Sequence, residues 1–342
     1  MDLEFRLRWP QRCYSNDLVV FLVGIGAYNV VTAFMIVYYH INSPLRNLHI
    51  PPLMDPIQLG PNQDSSMDKQ CQCKKIETTL EESACSDFSA TRGPNQRVIS
   101  FSLFGVDNPK YKLQDLRDNL QDLPKFYPGY VMRIYHDRVN VSALCDLFCH
   151  NDLLDLCYAG DIVITHGVML NEKFGMLWRY IPLLDPLVSE FHARDLDSRF
   201  LNREVQSVRD WQRSGKSLHI MRDHPSHNAV IMGGLFGMRK TIENQPLIAN
   251  ILHVILEKAY KCHMRQLDQY LLKLYLWPTF QHDSFIQDSY HCHWHQDIQP
   301  FSTRRVPGRG RNFLGSTDDS DVLNQSCPIQ CRPKENKDWT IC

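Results

Sequence analysis

The pattern of apolar and polar positions divides the chain into three stretches. Leu18 to Tyr39 runs 22 residues without a charge, and Asn29 is its only strongly polar side chain. As a helix it would span about 33 Å, enough for the hydrocarbon layer of a membrane. Tyr38 and Tyr39 suit an interfacial belt, and His40-Ile41-Asn42 makes a poor cleavage site for a signal peptide. Arg6, Arg8 and Arg12 precede the run, whereas only Arg46 follows closely. The positive-inside bias then leaves residues 1–17 in the cytosol and sends the remainder to the luminal side. The pattern predicts a retained anchor over 18–39 and a single-pass type II arrangement. Residues 40–96, rich in Pro, Gln, Ser and Asp with little apolar periodicity, read as an extended stem.

From Arg97 the pattern changes to one that can build a core. Arg97 to Gly105 is a β-rich run closed by glycine. Tyr111 to Leu123 has apolar residues at Leu113, Leu116, Leu120 and Leu123, a helical spacing. A strand over Tyr130–Tyr135 follows the Pro128-Gly129 turn. Ala143–Leu156 reads as a helix, Asp161–Thr165 as a strand, and Phe174–Leu187 as a helix kinked near Pro182. Asn202–Ser214 is an amphipathic helix, with Glu204 and Asp210 expected on its solvated face. Asn228–Arg239 reads as an apolar strand interrupted by Gly233, Gly234 and Gly237. Helices are expected over Pro246–Tyr260 and Gln266–Leu272, and a strand over Phe285–Tyr290. Alternating strands and helices imply an α/β body over 97–342 with a mostly parallel sheet flanked by helices.

Composition adds limits. The chain has 342 residues and a formal net charge of −1, so no basic surface points to nucleic acid. It has 12 cysteines, of which only Cys13 precedes the anchor. The others would face an oxidising lumen where disulfides persist, and their odd number leaves one thiol free or intermolecular. Cys145/Cys149 and Cys327/Cys331 can bridge locally or to distant partners. Asn140-Val141-Ser142 and Asn324-Gln325-Ser326 are acceptor sequons for N-glycosylation.

The candidate chemistry centres on Arg194-Asp195-Leu196-Asp197-Ser198-Arg199. Spacing of two at a strand end puts both carboxylates on one side of the backbone, where they can grip a divalent cation through hard oxygen ligands. Flanking arginines can hold the phosphates that accompany such a cation. Position supports this, because ligands of open α/β sheets bind beyond the carboxyl ends of the strands. Downstream, His219, Asp223, His224 and His227 offer acid–base or ligand groups, with Asp223 or a histidine placed near a reacting hydroxyl. Gly233 and Gly234 allow close approach of a ligand or of backbone. Asp268 and Gln269 sit among apolar neighbours, where polar groups need partners. His282, His291, His293 and His295 make the C-terminal part histidine-rich. Their spacing matches no standard zinc framework, and one of them completing the Asp195/Asp197 site is the better reading. Arg304, Arg305, Arg309 and Arg311 form a basic run suited to phosphate.

These pieces resemble Golgi-type nucleotide-sugar glycosyltransferases of the GT-A fold, over Arg97 to about Gly315. The strings RDLDSR, MRDHPSH and GGLFG are similar to a poorly characterised glycosyltransferase-like group. The resemblance implies a Golgi or ER membrane protein using a nucleotide-sugar donor and a glycan, protein or lipid acceptor. It implies Mn²⁺ or Mg²⁺ on Asp195 and Asp197, with His291 as third ligand, although the aligned strand itself offers Gln287 or Asp288. Arg179, Arg194, Arg199, Gly233 and Gly234 would then line the donor. The enzyme would be hexosyltransferase-like, and an inverting one would use Asp223 as base. A retaining one, slightly favoured, would place Asp268 and Gln269 beside the sugar. The alternative is a non-catalytic luminal protein that keeps a degenerate transferase fold and binds glycans or partners. A metal-dependent phosphohydrolase is a third reading.

Overall fold

The computed structural model describes residues 58–59, 71, 73–74, 82–105, 113–137, 141–165, 168–259, 265–306 and 310–342. The anchor expected over 18–39 and the sequon at Asn140 lie outside these residues. Among the described residues no helix is long and apolar enough to cross a membrane.

A seven-stranded sheet organises the body. In chain order its elements are β1 (Gln96–Leu103), α1 (Leu113–Phe126), β2 (Val131–His136), α2 (Val141–Cys149), β3 (Leu154–Tyr158), β4 (Val188–Arg194), α3 (Asn202–Ser214), β5 (Leu218–Arg222), β6 (Leu235–Arg239), α4 (Gln245–Lys258), α5 (Leu267–Leu271) and β7 (Ser284–Asp288). The strands lie in the order β3-β2-β1-β4-β6-β5-β7. All pairs are parallel except those of β6, which runs against both β4 and β5. The fold is therefore mixed α/β, with a mostly parallel sheet flanked by helices, as the alternation of elements predicts.

Local chemistry explains the helices that frame the site. α1 buries Leu116, Asn119, Leu120 and Leu123, one stripe at helical spacing. α3 stops at Gly215, whose φ of 72° provides the left-handed turn that glycine adopts most readily. Phe101, Ile134, Leu116, Leu196, Phe200 and Trp211 share the main apolar cluster.

The structure departs from the expected elements in several places. The helix expected over Ala143–Leu156 ends at Cys149, and Leu154–Tyr158 is the third strand of the sheet instead. Ile162–Thr165 belongs to a separate small sheet with Gln58–Leu59 and Val168–Met169. The stretch expected as a kinked helix is a 3-10 run, Gly175–Leu183. β4 itself carries polar residues at alternate positions, and α3 covers them. Gln212 donates to Glu190 at 2.8 Å, Trp211 packs edge-on against His192, and Glu204 accepts from Arg194 Nε at 2.6 Å. Glu204 is thus buried and ion-paired rather than solvated.

Of the stretch expected as an extended stem, Gln58–Leu59, Cys71, Cys73, Lys74 and residues 82–96 are described, and they join the body. Three disulfides fasten it there: Cys71–Cys145, Cys73–Cys149 and Cys85–Cys157. Each closes a loop of more than 70 residues, a length at which the chain-entropy model assigns about 4 kcal/mol per bridge. Cys292–Cys331 and Cys327–Cys342 secure the C-terminal segment. No described cysteine is free. Cys13 and Cys262 lie outside the described residues.

Candidate active site

The chain steps from β1 to β2 to β3 on one side, then places β4 on the other side of β1. Ligands of open α/β sheets bind at such a switch point, beyond the carboxyl ends of the strands. Here those ends are Leu103 and Arg194. The next residues after Arg194 are Asp195-Leu196-Asp197-Ser198, closed into a turn by the Ser198 amide donating to Asp195 O at 3.1 Å. Leu196 is buried in the main core, whereas Asp195 and Asp197 are half-buried. The apolar residue between them turns inward and leaves both carboxylates on the accessible side.

Arg179 ties this turn to two distant elements. It lies in the 3-10 run, and its amide donates to Ser102 Oγ near the end of β1 at 3.0 Å. Its Nη1 donates to Asp195 Oδ1, and its Nη2 donates to Asp268 Oδ2 at 3.0 Å. Burial alone would disfavour the guanidinium, but the Asp195 and Asp268 carboxylates outweigh burial and hold it protonated. Tyr180 OH lies 3.1 Å from both Asp268 Oδ2 and Gly233 O. The helix bearing Asp268 starts after Gln266, which holds φ at 67°, an uncommon conformation for a residue with a Cβ.

The glycine pair has a direct steric reason. A Cβ on Gly233 would collide with Asp268 Oδ2 and lie 2.9 Å from Tyr180 OH and 3.1 Å from Arg179 Nη2. A Cβ on Gly234 would collide with Asp195 Oδ2. Glycine is needed because two carboxylates pack against this backbone. Arg179, Asp195, Asp268, Gly233 and Gly234 are therefore brought together, although up to 89 residues separate the bonded pairs.

Asp195 and Asp268 share one guanidinium, and Asp197 follows Asp195 by two residues on the same turn. The Asp195 side chain is 41% exposed. Hard carboxylate oxygens of this kind fit Mn²⁺ or Mg²⁺. The space that a Cβ of Gly234 would fill lies directly against Asp195 Oδ2. Among the described residues no group of three or more His, Cys, Asp or Glu side chains is gathered for an ion. Mg²⁺ commonly binds through one or two carboxylates and completes its shell with water and substrate phosphate, so two carboxylates fit that mode.

The other expected site residues stand apart from this cluster. Arg194 turns into the protein, donating to Glu204 and, through Nη1, to Ala193 O at 2.7 Å. Arg199 pairs with Asp118 at 2.5 Å and Asp122 at 2.6 Å on α1. Gln269 is half-buried on α5. His291 stacks on Trp294 at 4.3 Å, and its Nε2 lies 3.0 Å from Pro225 O. Cys292 beside it is in a disulfide, so the thiolate of a zinc site is not on offer. Asn324 is exposed, as a glycosylation acceptor requires.

Asp223 differs most from its expected role. It is fully buried and accepts five donors: Arg203 twice, Arg305, Ser289 and the Leu314 amide. Burial would raise its pKa, but Arg203 and Arg305 reverse this and hold it below the usual carboxylate range. A carboxylate with about four acceptor positions has none left for a substrate hydroxyl. Arg305 of the basic run is thereby committed to Asp223 rather than to phosphate. His227 lies within electrostatic reach of Asp195, although Asp223 acts on it more strongly. Its Nδ1 accepts from the Asp223 amide at 3.0 Å, and burial pulls its pKa down to about 4.

Ser102, Asn119 and Tyr180 carry no motif that marks them in the sequence. Asn119 alone left a signal, a polar residue inside the apolar stripe of α1. No protein-family model and no curated protein matches the chain.

Proposed function

We propose that the body is a metal-dependent glycosyltransferase of GT-A type, moving a sugar from a nucleotide-sugar donor to a glycan, protein or lipid acceptor in the secretory pathway. The observation that carries this reading is the Arg179 bridge between Asp195 and Asp268 at the switch point, packed against two glycines. Asp195 and Asp197 would hold Mn²⁺ or Mg²⁺, which when bound stabilises charge on a departing diphosphate. Arg179 fixes the Asp195 carboxylate and adds positive charge at the place where phosphate oxygens would lie. Asp268, held by Arg179 and Tyr180, lines the floor on the sugar side.

The saturation of Asp223 weighs toward a retaining reaction, since an inverting one needs a free base. Five disulfides support an oxidising compartment, and the Leu18–Tyr39 run supports a Golgi or ER anchor.

The test is a nucleotide-sugar panel with Mn²⁺ on the full-length protein, reading release of nucleoside diphosphate. Unchanged turnover in Asp195→Ala and Asp197→Ala would sink the metal site, and release of inorganic phosphate would point to a hydrolase. The direct ion pair of Arg179 with Asp195 favours one second reading, a non-catalytic body that binds glycans or partners. Calorimetry showing no metal-dependent nucleoside diphosphate binding would select it.

A further inference from the structure

We infer that Asn119 is a positioning residue for the Asp195–Asp197 turn, setting cation affinity from α1 without touching the cation. The inference rests on the metal-binding reading of that turn. Asn119 is completely buried, in the stripe formed by Leu116, Leu120 and Leu123. A leucine there would continue the stripe. Instead the amide nitrogen donates to Leu196 O and Ser198 O, both at 2.9 Å.

These carbonyls flank Asp197, and both amide protons are used. With the Ser198 amide donating to Asp195 O, the backbone is held at three points across four residues. The hold draws Leu196 into the core between two half-buried carboxylates. Arg199 clamps the next residue to Asp118 and Asp122 on the same helix. Among the described residues Asn119 Oδ1 has no hydrogen-bond partner, which is unfavourable for a buried acceptor. That unfavourable placement is retained where the nitrogen meets two carbonyls of the turn. Groups that orient the side chains binding a metal typically change its affinity 10- to 100-fold when removed.

The experiment is Mn²⁺ titration of the full-length protein, with Mn²⁺ alone as the probe, followed by paramagnetic resonance and paired with thermal unfolding. Asn119→Leu fills the volume and removes both donors. It is expected to weaken Mn²⁺ binding by about 10- to 100-fold at temperatures where the variant is folded. A purely structural role would lower the melting temperature and leave the affinity of folded protein unchanged. Should Asn119→Leu fail to fold, Asn119→Ser retains one donor and is expected to show an intermediate loss. Native Mn²⁺ affinity in whichever of these variants folds overturns the inference while the metal site stands. A native protein without Mn²⁺ binding sensitive to Asp195→Asn overturns the metal site itself, and this inference with it.

Discussion

Gly233 and Asp268 are packed so closely that the glycine's missing Cβ would fall on Asp268 Oδ2. Asp268 cannot step aside, because it is buried and held by Arg179 and Tyr180. The Gly234–Asp195 approach is as tight, but the Asp195 side chain is 41% exposed and can rotate outward. The two alanine variants should therefore differ. Gly233→Ala is expected to cost about 1–3 kcal/mol by overpacking and to reduce turnover. Gly234→Ala should lower the melting temperature less than Gly233→Ala, because the Arg179–Asp195 pair it disturbs is partly exposed, while weakening Mn²⁺ binding. Thermal unfolding and Mn²⁺ titration of both proteins check this, and equal melting losses would contradict the argument.

Arg179 satisfies two carboxylates with separate nitrogens, which a lysine's point charge cannot reproduce. Arg179→Lys is expected to lower activity and stability together. Arg179→Met should cost about 3–5 kcal/mol, because Asp268 is left charged and buried. Adding Asp268→Asn should recover much of that stability without restoring turnover. Urea unfolding of the single and double variants measures the recovery, and strict additivity would argue against the pair.

Arg194 sits one residue before Asp195, yet its guanidinium faces Glu204 beneath α3. Arg194→Met should therefore destabilise by about 3–5 kcal/mol, the typical cost of breaking a buried pair. Below its lowered melting temperature it should bind nucleoside diphosphate and Mn²⁺ as the native protein does. A variant with native stability and lost binding would return Arg194 to the donor site.

Much of this organisation was legible because it is written locally. The helix predicted over Asn202–Ser214 has those bounds, since its apolar stripe and the following glycine are both local signals. Asp195, Asp197, Gly233, Gly234 and Asp268 stand out for the same reason, whereas Arg179 is marked only by the resemblance. β4 was harder, because Glu190, His192 and Arg194 look solvent-facing until α3 is laid over them. Asp223 misled for a related reason: its neighbours His224 and His227 resemble an acid–base cluster. Its partners Arg305 and Leu314 lie 82 and 91 residues away, so its saturation appears only in three dimensions. The early bridges escaped a stem-like composition, since pairing of Cys71, Cys73 and Cys85 depends on α2 and β3.

His227 gives the body an acid limit. Its imidazole is buried, and Nδ1 must be unprotonated to accept from the Asp223 amide. In the unfolded chain it titrates near 6.5, whereas in the fold its pKa is depressed to about 4. The unfolded state therefore binds more protons between these values, and stability rises with pH across them. The contribution is complete above about pH 6.5 and is lost as the pH falls toward 4, amounting to about 3 kcal/mol at most. His227→Gln keeps an acceptor for the Asp223 amide and removes the titration. Its unfolding free energy should be flatter between pH 6.5 and pH 4 than that of the native protein. Urea unfolding at closely spaced pH values measures the difference. Asp223, whose depressed pKa acts in the same direction at lower pH, should keep the steeper acid decline below that window in both proteins.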